Sequence, residues 1–275
     1  MKINKPTTTS LTISHIDYSP SGDVVMMYCR HSDMHWNEVE ESSNSVSFIG
    51  IQDDKIWFQA GQFMLLTATI EDKVIKRSYS IATTPQLLSE QWLIGFSIKR
   101  VEDGVFSTRA TQLAKSWNTL TMTWPLWHMT DDEVCDDYLL ISAGSWLSPV
   151  YAIYHSLLHS SRPVRIANIF GERYFSHILP DVHHDRVTSA SLVPSLHSGW
   201  LASPHIYSQC FLSQDEHKWY CCGRVQLWLS NALDRLATTQ IKVFICWAPE
   251  MVDDVRLRLV DEYWIDPTSI KFEKY

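Results

Sequence analysis

The run Arg77-Ser78-Tyr79-Ser80 decides how this chain is interpreted. It places a guanidinium, an aromatic ring and two hydroxyls beside one another at the end of an apolar, β-rich stretch. Arginine offers a planar fork of donors to phosphate oxygens, and tyrosine offers a face on which a flat ring can stack. Taken alone, the four residues are more typical of an ordinary strand than of a binding site. The segments on either side favour the binding site.

Two flanking segments support that interpretation. Residues 58–63 read F-Q-A-G-Q-F, and residues 99–107 read K-R-V-E-D-G-V-F-S, with Gly104 and Ser107 three positions apart. Glycine lets backbone N–H groups approach a ligand closely. Ser107 is equally interpreted as the cap of a helix predicted at 108–116. The two interpretations are compatible, because a helix N-terminus also attracts phosphate.

Composition limits the class of protein. The 275 residues are 45% hydrophobic and 20% charged, which predicts a globular protein, and the length favours two domains. A net charge of −8 without a basic cluster argues against a nucleic-acid surface. No apolar run approaches the roughly 18 residues that a membrane span needs. The polar, Thr-rich first ten residues do not resemble a signal peptide.

The cysteines and histidines do not predict a metal centre. None of the six cysteines forms a C-x-x-C pair, so iron–sulfur and zinc ligation are not expected. Buried free thiols indicate a reducing, cytoplasmic environment. His183 and His184 are adjacent but lack a third ligand at a suitable spacing, so no metal site is predicted there.

The first half of the chain is rich in short strands. A helix is predicted only at 108–116, and the polar, acidic stretch 35–54 is predicted to be a surface loop. This pattern indicates a six-stranded antiparallel β-barrel in a domain spanning 1–134. The predicted strands are 11–18, 24–29, 62–70, 77–82, 92–101 and 119–124.

The second half alternates strands with helices. This order predicts a doubly wound parallel sheet in a domain spanning 135–275, with residues 177–203 as a loop. Ligands of such sheets bind at the carboxyl ends of the strands, which here are followed by 143–149, 171–173 and 246–251. The predicted strands are 138–143, 164–170, 206–212, 242–247 and 269–272, and the predicted helices are 150–159, 224–237 and 249–263.

In this order the motifs resemble those of the ferredoxin–NADP reductase family of flavoprotein reductases, over nearly the whole chain. The Gly61-Gln62-Phe63 start of a strand, the R-x-Y-S run and the second glycine segment each resemble a flavin-binding signature of that family. The resemblance implies bound FAD, with its pyrophosphate on Arg77 and its isoalloxazine against Tyr79. The implied FAD-binding residues are Arg77, Ser78, Tyr79, Ser80, Ile98, Lys99, Gly104, Val105, Phe106, Ser107 and Tyr275.

The end of the chain extends the resemblance. Residues 243–251 are similar to the family's C-G-x-P-E-M segment, and 270–275 to its closing E-K-F/Y strand. Such an ending resembles the reductase components of bacterial oxygenases, here without a [2Fe–2S] segment. The resemblance implies catalytic roles for Ser80, Cys246 and Tyr275. It also implies a ferredoxin, a flavodoxin or an oxygenase component as the electron acceptor.

The departures from the family pattern concern glycine. The family's nucleotide loop A-G-G-T-G-I-T-P reads A-G-S-W-L-S-P at 143–149, its Cys-Gly is Cys246-Trp247, and its G-P-x-G reads W-P-L-W at 124–127. The chain has only 9 glycines but 12 tryptophans, so indoles are expected to fill or narrow the nucleotide pocket. The candidate NAD(P)-binding residues are Gly144, Ser145, Trp146, Arg173, Cys246 and Trp247.

Two functions therefore stay open at this point. The first is an FAD-dependent oxidoreductase that passes electrons between NAD(P)H and a protein or small-molecule acceptor. The second is a flavin-binding electron-transfer subunit or accessory protein that no longer uses NAD(P)H. The tryptophans at positions 146 and 247 are the sequence feature that separates them.

Overall fold

The computed structural model shows two β-sheets, each with its own core. The residues it describes are 7–31, 58–70, 72–108, 119–126, 129–131, 135–179, 205–216, 220–238 and 240–274. Within these ranges no helix is long and apolar enough to cross a membrane.

The first sheet is antiparallel and curls on itself. In the described part of the chain its strands are β1 (Thr7–Tyr18), β2 (Val24–His31), β3 (Phe63–Ile70), β4 (Lys73–Ser80), β5 (Ile94–Lys99) and β6 (Thr119–Leu126). They lie in the order β4-β3-β6-β1-β2-β5, and a bridge between Ile81 and Phe96 joins the end of β4 back to β5. The predicted six-stranded antiparallel barrel is confirmed as this curled sheet.

Alternating side chains fill the barrel core. Along β3, Met64, Leu66, Ala68 and Ile70 are buried while the residues between them face outward. This period of two follows from the pleat of a strand, which turns successive side chains to opposite faces. The same core includes Phe106, which follows β5.

The second sheet is parallel and is covered on both faces. Its described strands are β7 (Asp137–Ala143), β8 (Arg165–Glu172), β9 (Ile206–Leu212), β10 (Cys221–Cys222), β11 (Ile241–Trp247) and β12 (Ile270–Lys274), in the order β10-β9-β8-β7-β11-β12. Helix α2 (Ser148–Leu158) packs on one face, and α3 (Leu229–Leu233) and α4 (Pro249–Asp261) pack on the other. The predicted doubly wound sheet is confirmed, and β7 is buried along its whole length, as expected of a central parallel strand.

The two sheets meet closely at Gly61. Its φ is +89°, and a Cβ placed there would lie 1.9 Å from the carbonyl oxygen of Met129 and 3.1 Å from Cδ1 of Ile153. Only glycine fits, because it tolerates this φ and has no side chain to displace the neighbouring backbone. The nearby residues 129–131 are held by the second sheet: Lys271 Nζ donates to the Thr130 oxygen (2.7 Å), and Tyr138 Oη donates to Asp131 (2.9 Å).

Several predicted elements differ from the structure. No helix was predicted between the strands 77–82 and 92–101, but Thr84-Pro85 begins helix α1 (Pro85–Gln91): Thr84 accepts a bond from Leu87 N, and proline occupies the first turn. The helix predicted at 224–237 is only a 3₁₀ turn (Val225–Trp228) followed by the short α3. The predicted segments 35–54 and 109–116 lie outside the described residues, and the domain boundary at 134/135 stays a prediction.

An ion pair at the start of β7 anchors the second sheet. Asp137 is fully buried and accepts bonds from Arg165 Nη2 (3.0 Å) and from Thr238 Oγ1 (2.7 Å). Burial by itself raises the pKa of this carboxyl, but the bonds from Arg165 and Thr238 outweigh burial and hold the pKa below its ordinary value.

We expect Asp137→Asn to lower the free energy of unfolding at neutral pH by about 1.5–3 kcal/mol, because a charged acceptor is lost. Since the folded-state pKa is lowered, this stabilisation is fully present above the unfolded-state pKa and is lost as the pH falls through the folded-state pKa. The deficit of the variant should therefore shrink in acid. Urea denaturation at several pH values measures it. The control is Asp136→Asn, whose carboxylate is 74% exposed, and an equal deficit in both variants would contradict the assignment.

Candidate functional site

A cleft of about 580 Å³ opens where the parallel strands end. This volume is in the range of small-molecule sites, and the position is the one at which open α/β sheets bind ligands. The loops after β7, β8 and β11 all contribute to its wall, as the sequence predicted, and the barrel contributes Lys99. The wall includes Ala143, Gly144, Ser145, Trp146, Gly171, Glu172, Arg173, Ser213, Gln214, Arg224, Trp247 and Ala248.

The charges on this wall favour an anionic ligand. Lys99, Arg173 and Arg224 are exposed cations at the cleft. Glu172 is the opposing carboxylate; its Oε1 accepts a bond from Arg173 N (2.7 Å), and its Oε2 lies 3.6 Å from where a Cβ of Gly144 would be. Three cations against one carboxylate attract a ligand that carries phosphate.

On the barrel side, Arg77, Ser78 and Tyr79 lie together near the end of β4. Arg77 is exposed, and the structure records one hydrogen bond for it, from Nη1 to the oxygen of Lys76 (2.8 Å). Tyr79 is half-buried, and its ring lies 5.6 Å from that of Phe106. Burial raises the pKa of Tyr79 to about 12 against the opposing charge of Arg77, so the phenol stays neutral. The guanidinium therefore remains available for a ligand beside a neutral aromatic surface.

The segment around Gly104 forms a tight turn. Ser107 is buried; its Oγ accepts a bond from Val101 N (3.2 Å) and donates one to the Gly104 oxygen (3.3 Å). A Cβ at position 104 would lie 2.5 Å from that Oγ and 3.0 Å from the Val101 oxygen, so a side chain there would crowd the turn. Residues 105–108 are helical, so Ser107 lies inside the first turn and the prediction that it caps a helix starting at 108 is wrong. A role of Ser107 toward a ligand stays a prediction.

The remaining predicted flavin-site residues differ in how they are exposed. Val105 is 53% exposed beside the Gly104 turn, and Lys99 faces the cleft. Ile98 is fully buried in the barrel core, so it presents no surface to a ligand. Tyr275 lies outside the described residues, as do His183 and His184. Within the described ranges no cluster of three or more potential metal ligands occurs.

The barrel and the parallel sheet meet at three polar side chains. Ser80, the last residue of β4, donates from Oγ to Glu273 Oε2 (3.2 Å), and Cys246 Sγ lies 4.0 Å from the same oxygen. Glu273 lies on β12, opposite Cys246 on β11. All three side chains are at most 6% exposed. The structure thus brings the predicted Ser80 and Cys246 to the same carboxylate, and Trp247, which follows Cys246, lines the cleft.

The protonation of this cluster follows from its burial. Burial, and then the neighbouring Glu273 carboxylate, raise the pKa of the Cys246 thiol well above its ordinary value. The thiol is therefore protonated and is not a nucleophile, since the thiolate is the reactive form. The arrangement provides one carboxylate that accepts from a hydroxyl and faces a thiol, in a place from which water is excluded. Such a group can hold or pass on a proton.

The comparisons with known proteins agree with this geometry. No family model matches the chain. The toluate 1,2-dioxygenase electron transfer component of Pseudomonas putida is 22% identical over 242 residues, which is 86% of this chain. The chain spans only 65% of that relative's length.

Solved structures match the chain from end to end. The FAD/NAD-binding domain of a Vibrio cholerae nitric oxide dioxygenase has a TM-score of 0.71 at 16% identity, covering 97% of this chain and 98% of that one. A Neisseria gonorrhoeae ferredoxin NADP⁺ reductase with bound FAD and NADP has a TM-score of 0.63 at 17% identity, with 97% and 98% covered. The chain has the ferredoxin–NADP reductase-like fold. The resemblance expected from the sequence is confirmed at this level.

Within the reductase-like fold, the two tryptophans line the cleft without closing it. A Cβ on Gly171 would lie 3.4 Å from Cη2 of Trp247, so the indole rests on the end of β8. Gly144 keeps a φ of +57°. Among the described non-glycine residues a positive φ occurs only at Asp72, Trp92 and Trp264. The two indoles expected to fill or narrow the pocket form part of its wall, and Gly144 keeps the left-handed conformation in the loop.

Two residues of the candidate site were not predicted from the sequence. Glu273 was placed in the closing strand without a role, although it is the acceptor that joins Ser80 to the second sheet. Arg224 was assigned to a helix, but it precedes the 3₁₀ turn and lies on the cleft wall. A buried glutamate in an apolar strand is the signal that could have identified Glu273, since carboxylates are rarely buried without a partner.

Proposed function

We propose that this chain is an FAD-dependent reductase that takes a hydride from NAD(P)H and passes electrons to a protein acceptor. A ferredoxin, a flavodoxin or an oxygenase component is the proposed acceptor, in line with the electron-transfer role of the Pseudomonas putida relative. The bond from Ser80 to Glu273 and the approach of Cys246 to the same carboxylate carry this proposal, because they join the R-x-Y-S strand to β11, whose last residue, Trp247, lines the anion-attracting cleft.

The barrel residues fit FAD. An exposed guanidinium, a neutral tyrosine ring and a glycine turn lie close together, which suits a group with a pyrophosphate and a flat ring. Arg77 would hold the pyrophosphate, Tyr79 would lie against the ring, and the backbone around Gly104 would approach the phosphates. When bound, FAD supplies hydride acceptance and single-electron donation.

The protein's own groups orient the reaction. Ser80 Oγ is held by Glu273 Oε2, so its direction is fixed toward one side of the site. Glu273 can take or return a proton through that hydroxyl, and the neutral Cys246 thiol forms an uncharged wall. Exclusion of water from this cluster strengthens its electrostatic effect and limits side reactions.

The cleft fits a dinucleotide. Arg173 and Arg224 offer guanidinium groups to its phosphates, and Trp247 offers an indole face beside Gly171. Six free cysteines support a reducing, cytoplasmic location. We also propose that residues 1–134 form an FAD-binding domain and residues 135–275 a nucleotide-binding domain.

One observation favours the second candidate, a flavin-binding electron-transfer subunit that does not use NAD(P)H. The Trp247 indole covers the end of β8, where bare glycine backbone would otherwise face the cleft. A dinucleotide must either stack on this indole or displace it. The open volume of the cleft supports the reductase over this alternative.

The deciding experiment is anaerobic addition of NADH and, separately, NADPH to the FAD-loaded protein. Bleaching of the flavin absorbance supports the reductase. An oxidised spectrum that dithionite still reduces supports the electron-transfer subunit. Failure to bind added FAD would overturn both.

We expect Arg77→Ala to raise the dissociation constant for FAD by about 10- to 100-fold, because each lost charged hydrogen bond costs roughly 1.5–3 kcal/mol. Equilibrium dialysis or fluorescence titration of the apoprotein measures this. Lys73→Ala, an exposed cation at the other end of β4, is the matched control. Equal FAD affinity in the wild type and Arg77→Ala would remove Arg77 from the site.

We expect Glu273→Gln to retain FAD but to slow steady-state reduction of an artificial acceptor by about tenfold or more. Glutamine keeps the size of the side chain and an acceptor for Ser80, but it cannot take up a proton. Stopped-flow and steady-state rates compare the variant with Glu262→Gln, an exposed carboxylate paired with Arg258. If both variants have the wild-type steady-state rate, Glu273 does not take up or release a proton in the reaction.

A further inference from the structure

His177 lies between two carboxylates that belong to different sheets. Its Nε2 is 3.4 Å from Oδ2 of Asp23, in the turn between β1 and β2, and its Nδ1 is 3.5 Å from Oε1 of Glu172, at the end of β8. The side chains of His177 and Glu172 are 20% and 8% exposed. Both His177 and Glu172 also line the cleft. One imidazole therefore links the barrel to the cleft wall.

The charge state of this imidazole matters for the link. A neutral imidazole carries one N–H and can donate to only one carboxylate, whereas the imidazolium donates to both. The other charged and titratable groups around it are Lys99 and Arg173 on the cleft wall, Arg100, whose backbone N–H donates to the Asp23 carbonyl, and Tyr174, whose ring lies 5.2 Å away. The imidazolium can therefore hold both carboxylates at once.

Backbone bonds reinforce the same connection. Ser21 N, in the β1–β2 turn, donates to the oxygen of Ser176 (2.9 Å), next to His177. Phe175 N, in the same 3₁₀ turn, donates to Oδ2 of Asp215 (3.0 Å), which follows β9. The short turn Phe175–His177 thus connects the barrel turn with the ends of β8 and β9 around the cleft.

We infer that His177 is a positioning residue, which clamps the barrel turn to the cleft wall and neutralises Glu172 so that the cleft accepts an anionic dinucleotide. This inference rests on the proposed function, because it assigns NADH or NADPH to the cleft. With the imidazolium in place, Glu172 no longer opposes Arg173 and Arg224 in attracting the phosphates. When the imidazole loses its proton, one carboxylate loses its donor and the Glu172 charge repels the ligand.

The kinetic test compares FAD-loaded wild type with His177→Gln. His177→Gln should raise KM for NADH by about two- to fivefold, the scale of a partly exposed ion pair, with kcat affected less than KM. NADPH is measured in parallel.

The control is His159→Gln, an exposed histidine at the end of α2, which should keep the wild-type KM. A second measurement does not need the nucleotide. Hydrogen–deuterium exchange at the Ser21 amide should accelerate several-fold in His177→Gln and in Asp23→Asn. The double variant should add little further, because both changes break one link.

The outcomes distinguish a failure of the His177 clamp from a failure of the proposed function. A wild-type KM for NADH in His177→Gln, or unchanged exchange at Ser21, overturns the clamp. If neither NADH nor NADPH reduces the flavin of the wild type, the proposed function fails, and the exchange comparison alone then confirms or overturns the link between the sheets.

Discussion

The hydrogen bond between Ser80 and Glu273 is the contact on which the rest of the arrangement depends. The two residues are 193 positions apart; Ser80 ends β4 of one sheet, and Glu273 lies one residue before the end of β12 in the other. The bond forms only if the curled sheet and the parallel sheet are both complete and correctly placed. Both side chains are buried, so the bond forms away from water. The geometry of the candidate site therefore depends on how the two sheets pack together.

The packing at the junction explains how this placement is kept. Gly61 lies against the Met129 carbonyl, and residues 130 and 131 are bonded to side chains of the parallel sheet. The Asp23–His177–Glu172 contacts lie at another point between the same two sheets. The barrel is thus fixed to the parallel sheet at separate places, with the cleft mouth beside one of them. A site formed by two sheets needs such fixed points because neither sheet contains it alone.

Local patterns predicted the parts of this structure that local physics controls. The alternation along β3 and the apolar run of β7 were visible in the sequence, because burial on one or both faces of a sheet leaves a period-two or a continuous apolar pattern. Helix α1 was missed because Thr84-Pro85 begins helices as readily as it ends strands. The predicted helix at 224–237 was too long because the amphipathic pattern continues past the residues that are helical. Glu273 could not be assigned a partner, since no local pattern reports a contact across 193 positions.

The tryptophans are a case in which the composition alone does not predict the shape of the pocket. Replacement of glycine suggested a blocked pocket, yet Gly144 keeps the left-handed conformation, and the indoles of Trp146 and Trp247 form part of the wall. A residue type that is expected to obstruct a ligand can instead offer a surface for stacking. The shape of the cleft wall decides between these roles, and that shape depends on neighbouring residues such as Gly171.

The absence of a side chain at position 61 has a consequence for the spacing of the two sheets. Gly61 is two residues before Phe63, which pairs directly with Ser80 across β3 and β4. A methyl group at position 61 would collide with the Met129 carbonyl and force this corner of the barrel away from it. The strand that carries Ser80 is paired to this corner, so the same displacement would strain the contact of Ser80 with Glu273. A position far from the candidate site in the sequence thus limits how closely the two halves of the molecule approach.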